Sequence, residues 1–186
     1  MVTSVLAICG SLRAKSSNLA VLQAAAASAP SGFHVVLFQG LADLPPFNPD
    51  PDREPFLASV ARFRSELQRT NAVLICSPEY AHRIPGSLKN ALDWVVGSGE
   101  FSRKPVAVIN ASLSSAYVLP ALTETLRTMD ARVVSEACIT LPLKQKPLHV
   151  STIISDPQVI RSLQQVLRHH DRRPPYLAVG LAVSSL

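Results

Sequence analysis

The sequence is short of glycine, cysteine and acidic residues, and each shortage removes a class of protein. With seven glycines in 186 residues, no three-glycine dinucleotide fingerprint follows the first apolar run, and no second glycine precedes Lys15-Ser16 as a triphosphate loop requires, which disfavours pyrophosphate and triphosphate sites. The Gly-x-Ser-x-Gly elbow of a serine hydrolase is also missing. The three cysteines, Cys9, Cys76 and Cys138, form no close pair and lie in or beside apolar runs. They are expected to be small buried hydrophobes rather than disulfide partners or zinc ligands. No apolar run approaches the ~20 residues of a membrane span, so no membrane association is expected. The amino terminus has no basic stretch before its apolar residues, which read as a first strand rather than a secretion signal and point to the cytoplasm. Thirteen acidic against eighteen basic residues give a formal charge of +5. That charge suits an anionic cofactor or small acid but is modest for nucleic-acid binding, and no nucleic acid is expected as a partner. The densest cationic cluster, residues 168–173, ends a predicted helix and is expected to be solvated there, complementing the helix dipole. His169 and His170 are adjacent, so they diverge on that helix, and no metal site is expected.

What is present is a folded chain, 47% hydrophobic and 17% charged, read as one domain over residues 1–186. Apolar runs of strand length occur at 2–9, 33–38, 71–76, 105–110 and, more weakly, 132–139. They are continuous rather than alternating and are separated by helical patterns. That combination predicts a doubly wound α/β fold, a five-stranded parallel sheet with helices on both faces. Helices are predicted from a cap at Asn18 to about Ser28, over 56–67, over 88–95 with Pro85-Gly86 opening it, over 119–129 and over 156–169. In the second of these, Phe56, Val60, Phe63 and Leu67 recur at helical spacing as a core face, with Arg62, Arg64 and Glu66 toward water. Five prolines between Pro45 and Pro55 exclude regular structure and make a long, stiff surface loop. The apolar tail, 174–186, follows a double proline and must pack against something; its role is open.

Two loops after apolar runs carry the chemistry. The first, starting at Gly10, offers Ser11, Arg13, Ser16, Ser17 and Asn18 together with the free amides of a helix start, a set that suits a single terminal phosphate such as that of flavin mononucleotide (FMN). Taken alone, the same serines fit a plain helix cap equally well. The second loop, starting at Ser77, turns directly into an amphipathic helix, and two such loops at the carboxyl edge of one sheet define one ligand crevice.

The chain resembles the NAD(P)H-dependent FMN reductases, which include quinone, chromate and azo-dye reductases of flavodoxin-like fold. The resemblance rests on Gly10-Ser11-Leu12-Arg13 with Ser16 and Asn18, on Leu44-Pro45 with Phe47-Asn48-Pro49-Asp50, and on Pro78-Glu79-Tyr80 with Ile84-Pro-Gly-Ser-Leu-Lys-Asn-Ala-Leu-Asp-Trp94. It covers roughly residues 2–135. It implies that Ser11, Arg13, Ser16 and Asn18 hold the FMN phosphate with Ser17 as a helper, and that Pro78, Glu79, Tyr80 and Ala81 border the isoalloxazine. It further implies that Ser112 lies near the ring and that His82 lines the acceptor pocket. The implied activity is ping-pong hydride transfer from NADPH or NADH through flavin N5 to a small-molecule acceptor such as a quinone, in a homodimer or homotetramer. No residue of the chain is expected to do the redox chemistry itself.

Departures from the family pattern are Lys15 for a glycine, Ser17 for an aromatic, Ala81 for an asparagine, and Leu113-Ser114 for proline-glycine. The last removes the flexibility that would let the backbone approach a ring. Outside any role at the ring, Glu79 is expected to pair with a nearby arginine or lysine. Two other readings keep the scaffold: a noncatalytic flavin-binding or regulatory protein, and a one-electron carrier, against which the basic charge argues.

Overall fold

The structure is a computed structural model and describes residues 2–113, 115–141, 143 and 149–170. The central strands are β1 (Thr3–Cys9), β3 (Ala72–Cys76) and β4 (Pro105–Asn110), each built from the continuous apolar runs. Their residues alternate between two cores. Val5 and Ala7 of β1, Leu74 of β3 and Ala107 of β4 face one layer, while Leu6, Ile8, Val73, Ile75, Val106 and Val108 face the other. Strands with both faces covered lose nothing by being apolar throughout, which is why alternation is absent from the sequence.

The edge strands are β2 (Phe33–Leu37), β5 (Arg132–Val133) and β6 (Ile139–Thr140). The order is β2-β1-β3-β4-β5, with β6 also pairing to β4, and every pairing is parallel. This is the flavodoxin-like order. Helices α1 (Ser17–Ala27), α5 (Val150–Ile154) and α6 (Pro157–His170) contribute to one core. Helices α2 (Ala58–Arg69), α3 (Gly86–Asp93) and α4 (Val118–Thr128) contribute to the other.

The structure corrects the sequence reading in several places. The fifth strand is broken: β5 and β6 flank a 3-10 turn, Ser135–Ala137, and the pairing with β4 resumes three residues further on. Helix α2 begins two residues after Phe56, which is outside it and partly exposed, so the core stripe is Val60, Phe63 and Leu67. Arg64 does not face water. It is buried, donates to the Trp94 carbonyl at 2.6 Å and to Asp52 at 2.9 Å, and lies over the Phe56 ring. The short helix α5 has no counterpart in the expected elements. His170, at the end of α6, is buried rather than solvated. Residues 171–173 and the tail at 174–186 lie outside the described residues.

The proline-rich loop is tied down at α3. Asn90 donates to the Pro45 carbonyl at 2.9 Å and accepts from the Phe47 amide at 2.7 Å, and the Trp94 indole also donates to Pro45, at 2.8 Å.

Candidate functional site

Strand order reverses between β1 and β3, the place where loops leaving adjacent strands part to opposite faces and open a crevice. The two loops touch at their origin. The Gly10 amide donates to the Cys76 carbonyl at 2.9 Å, and a Cβ on Gly10 would fall 2.5 Å from Ser77 Oγ. Beyond that contact they border a cavity of about 260 Å³. From the first loop Ser11, Arg13, Ser16, Ser17 and Asn18 line it, and from the second Ser77, Pro78, Glu79 and Tyr80. The loop after β4 adds Asn110, Ala111, Ser112 and Ser115.

Nine of the predicted site residues therefore meet in one cavity. Ala81 and His82 are outside its lining, both exposed. Ser77, Asn110, Ala111 and Ser115 are lining residues that the sequence reading missed. For Ser77 and Asn110 the signal was available, because each stands at the carboxyl end of an apolar strand.

Helix α1 is capped by Ser16, not by Asn18. Ser16 has extended backbone and its Oγ accepts from the Leu19 amide at 3.4 Å. Asn18 instead lies within the first turn, buried, where the Cys76 thiol donates to its Oδ1 at 3.2 Å. Burial, with Cys9 alongside, pushes the Cys76 thiol well above its usual range, so the sulfur keeps the proton it donates. With Oδ1 engaged, the Asn18 amide has N–H groups left to offer a ligand. The Ser11 hydroxyl accepts from the Arg13 amide at 3.3 Å, folding the loop back on itself. Arg13 is exposed and takes part in neither of the two ion pairs found among the described residues, Arg64–Asp52 and Lys89–Asp93. All three cysteines are free thiols, and burial raises the pKa of Cys9 and Cys138 as well.

In the second loop Tyr80 and Arg83 exchange backbone hydrogen bonds of 3.0 and 2.9 Å around Ala81 (φ 48°) and His82 (φ 60°). Both central residues are left-handed, as in a type I′ turn. The His82 ring stacks on Tyr117 at 4.3 Å between centroids, 21° from parallel. Among the described residues Glu79 forms no ion pair. Its Oε2 accepts from the amides of Tyr117 at 2.7 Å and Val118 at 3.0 Å, at the start of α4.

Asn110 is buried at the end of β4. Its Nδ2 donates to the Ser115 carbonyl at 2.8 Å and to Thr140 Oγ1 at 3.4 Å, and its Oδ1 accepts from the Ser112 amide at 3.1 Å.

The donor set fits a phosphorylated flavin. One side has an unpaired guanidinium, serine hydroxyls and the first turn of α1, all favourable to an anion. The single carboxylate among the lining residues, Glu79, is turned toward amides of α4. A parallel sheet of this order, with an anion cradle at its switch point and a second loop laid beside it, defines a flavoprotein scaffold.

Comparison with known proteins makes the assignment specific: the chain belongs to the NADPH-dependent FMN reductase family, whose profile matches residues 3–146. It is 32% identical over 169 residues to an NAD(P)H-dependent FMN reductase of Pseudomonas aeruginosa, covering 88% of this chain and 91% of that one. It is 40% identical over 114 residues to a quinone reductase of Pseudomonas putida, covering 60% and 61% respectively. The structure of the flavoenzyme NAD(P)H:(acceptor) oxidoreductase FerB from Paracoccus denitrificans superposes with a TM-score of 0.74 at 26% identity, covering 91% of this chain and 96% of that one. The protein is thus an oxidoreductase with FMN as cofactor and a reduced nicotinamide as donor. Among the described residues no helix is long and apolar enough to cross a membrane, and no group of metal-ligating side chains occurs.

Proposed function

We propose that the chain reduces small quinones with NADPH or NADH through FMN held in the cavity after β1, β3 and β4. The observation that carries this reading is the meeting of the serine-lined loop with residues 77–80 around one space. Ser11, Arg13, Ser16, Ser17 and Asn18 would hold the phosphate, and Pro78, Glu79, Tyr80 and Ser112 would border the ring. FMN held there would supply hydride transfer from the nicotinamide and two-electron reduction of the acceptor, the two substrates using the site in turn. The chain supplies position and field. Arg13 and the α1 amides would neutralise the phosphate, while Glu79 keeps its charge on α4. His82, stacked on Tyr117 beyond the lining residues, would flank the entrance of the acceptor.

Exposed Val96 and a shallow groove between α3 and α4, lined by Leu92, Val96, Met129, Lys89 and Glu124, support a homodimer or homotetramer. A cytoplasmic address fits the intracellular supply of reduced nicotinamide.

The test is to reconstitute purified protein with FMN and follow NADPH and NADH oxidation with and without a benzoquinone. Stoichiometric FMN binding and acceptor-dependent turnover are expected. An unchanged melting temperature in excess FMN would sink the assignment. Light scattering in solution decides the oligomer.

A further inference from the structure

Helix α4 starts without a cap of its own. Its N-cap residue, Tyr117, makes no side-chain capping bond, and no acidic residue lies in its first turn. The leading amides of a helix need acceptors, and a carboxylate there also meets the positive end of the dipole. Glu79 supplies both from 38 residues away, accepting from Tyr117 at 2.7 Å and Val118 at 3.0 Å. The two loops beside the ring position are therefore joined by one side chain.

A second contact follows from the first. With its amide fixed on Glu79, Tyr117 presents its ring to His82, which sits in a turn whose two central residues both have positive φ. Such a turn is strained without glycine and needs its surroundings to hold it. Tyr80, a lining residue, lies in sequence between Glu79 and that turn, so both of its flanks are anchored to the start of α4. On the other side Asn110 pins the β4–α4 loop from within.

We propose that Glu79 is a positioning residue: it latches the β3–α3 loop to α4 and sets the ring-side wall of the cavity before flavin enters. This rests on the cavity being the FMN site. The latch fixes the carboxyl end of the β4–α4 loop, at Tyr117, while Asn110 holds its amino end.

A defect on the ring side must weaken FMN and riboflavin alike, whereas a defect in the phosphate cradle weakens FMN alone. In Glu79→Ala, amide hydrogen exchange at Tyr117 and Val118 should accelerate in the flavin-free protein. Dissociation constants for FMN and riboflavin should both rise by the same factor, roughly tenfold, the scale of one to two lost capping bonds. Glu79→Gln keeps an acceptor oxygen without the charge and should fall between wild type and alanine, which also serves if the alanine variant folds poorly. Unchanged exchange at the two amides, or a loss confined to FMN, would overturn the proposal. A wild-type protein that binds neither flavin overturns the cofactor reading and with it the positioning role, while the exchange experiment separately reports whether the latch exists.

Discussion

Ser77 stands in the space that any side chain at Gly10 would need: a Cβ there would lie 2.5 Å from Ser77 Oγ and 2.9 Å from its Cβ. The serine is not free to swing aside without loss, since its hydroxyl donates to the Pro78 carbonyl at 3.0 Å. Gly10→Ala should therefore push the two loops apart, cost about 1–3 kcal/mol of stability, as overpacking does, and weaken FMN. Chemical denaturation and flavin titration of the variant check both effects. Equal stability would show that the loops adapt.

Arg13 lines the cavity on the side proposed for the phosphate, so FMN and riboflavin should report on it differently. Arg13→Ala should weaken FMN by roughly 1.5–3 kcal/mol, the range for a hydrogen bond to a charged group, and leave riboflavin binding nearly unchanged. Calorimetry with both ligands is the measurement. Identical losses for the two would place Arg13 elsewhere than on the phosphate.

Ala81 adopts φ 48° with a Cβ that this region penalises. Ala81→Asn should stabilise the protein by roughly 0.5–1 kcal/mol, recovering part of the ~1–2 kcal/mol that left-handed backbone costs an L-residue. The midpoint of urea unfolding reads this directly, and a destabilised variant would mean that the turn is not held in this conformation in solution.

The order of strands and helices was legible because continuous apolar runs and helical spacing report burial, and burial is what the sheet imposes. That the serine-rich loop lines the cavity was legible too, since its hydroxyls and amides cluster locally. Contacts that join distant segments were not. Nothing near Arg64 reveals that Asp52 and the Trp94 carbonyl will receive it, so its position in the helical pattern sent it to solvent. Asn18 looked like a cap until the fold brought Cys76 to its amide, and Glu79 looked like half of an ion pair until α4 arrived without a cap. The strand expected at 132–139 failed for a related reason: β composition marks the residues but not the three-residue slip that inserts the Ser135–Ala137 turn.

Arg64→Ala should leave the buried Trp94 carbonyl without its donor and Asp52 without its cation, at a cost of roughly 2–4 kcal/mol. A double-mutant cycle with Asp52→Ala isolates the pair. Additive losses would show that the carbonyl, not the carboxylate, is the main partner.

His170 gives stability a pH dependence. Burial lowers its pKa below the ordinary 6.5, outweighing nearby carbonyls of Val73 and Val166 that favour the proton. The unfolded chain then binds a proton at higher pH than the folded one, so this contribution is complete above pH 6.5 and is lost as pH falls from there through the lowered folded-state pKa. His170→Gln should narrow the difference in melting temperature between about pH 7.5 and about pH 5.5. An identical pH profile in the variant would assign the dependence to other groups.

The chain has one tryptophan, and it is placed where three segments meet. Trp94 is 1% exposed, donates its indole N–H to Pro45, meets the Phe47 ring edge-on at 5.1 Å and gives its carbonyl to Arg64. Its emission is consequently an inbuilt gauge of whether the proline strap is seated on α3, readable without any label: unseating the strap would wet a dry indole and shift its spectrum to the red.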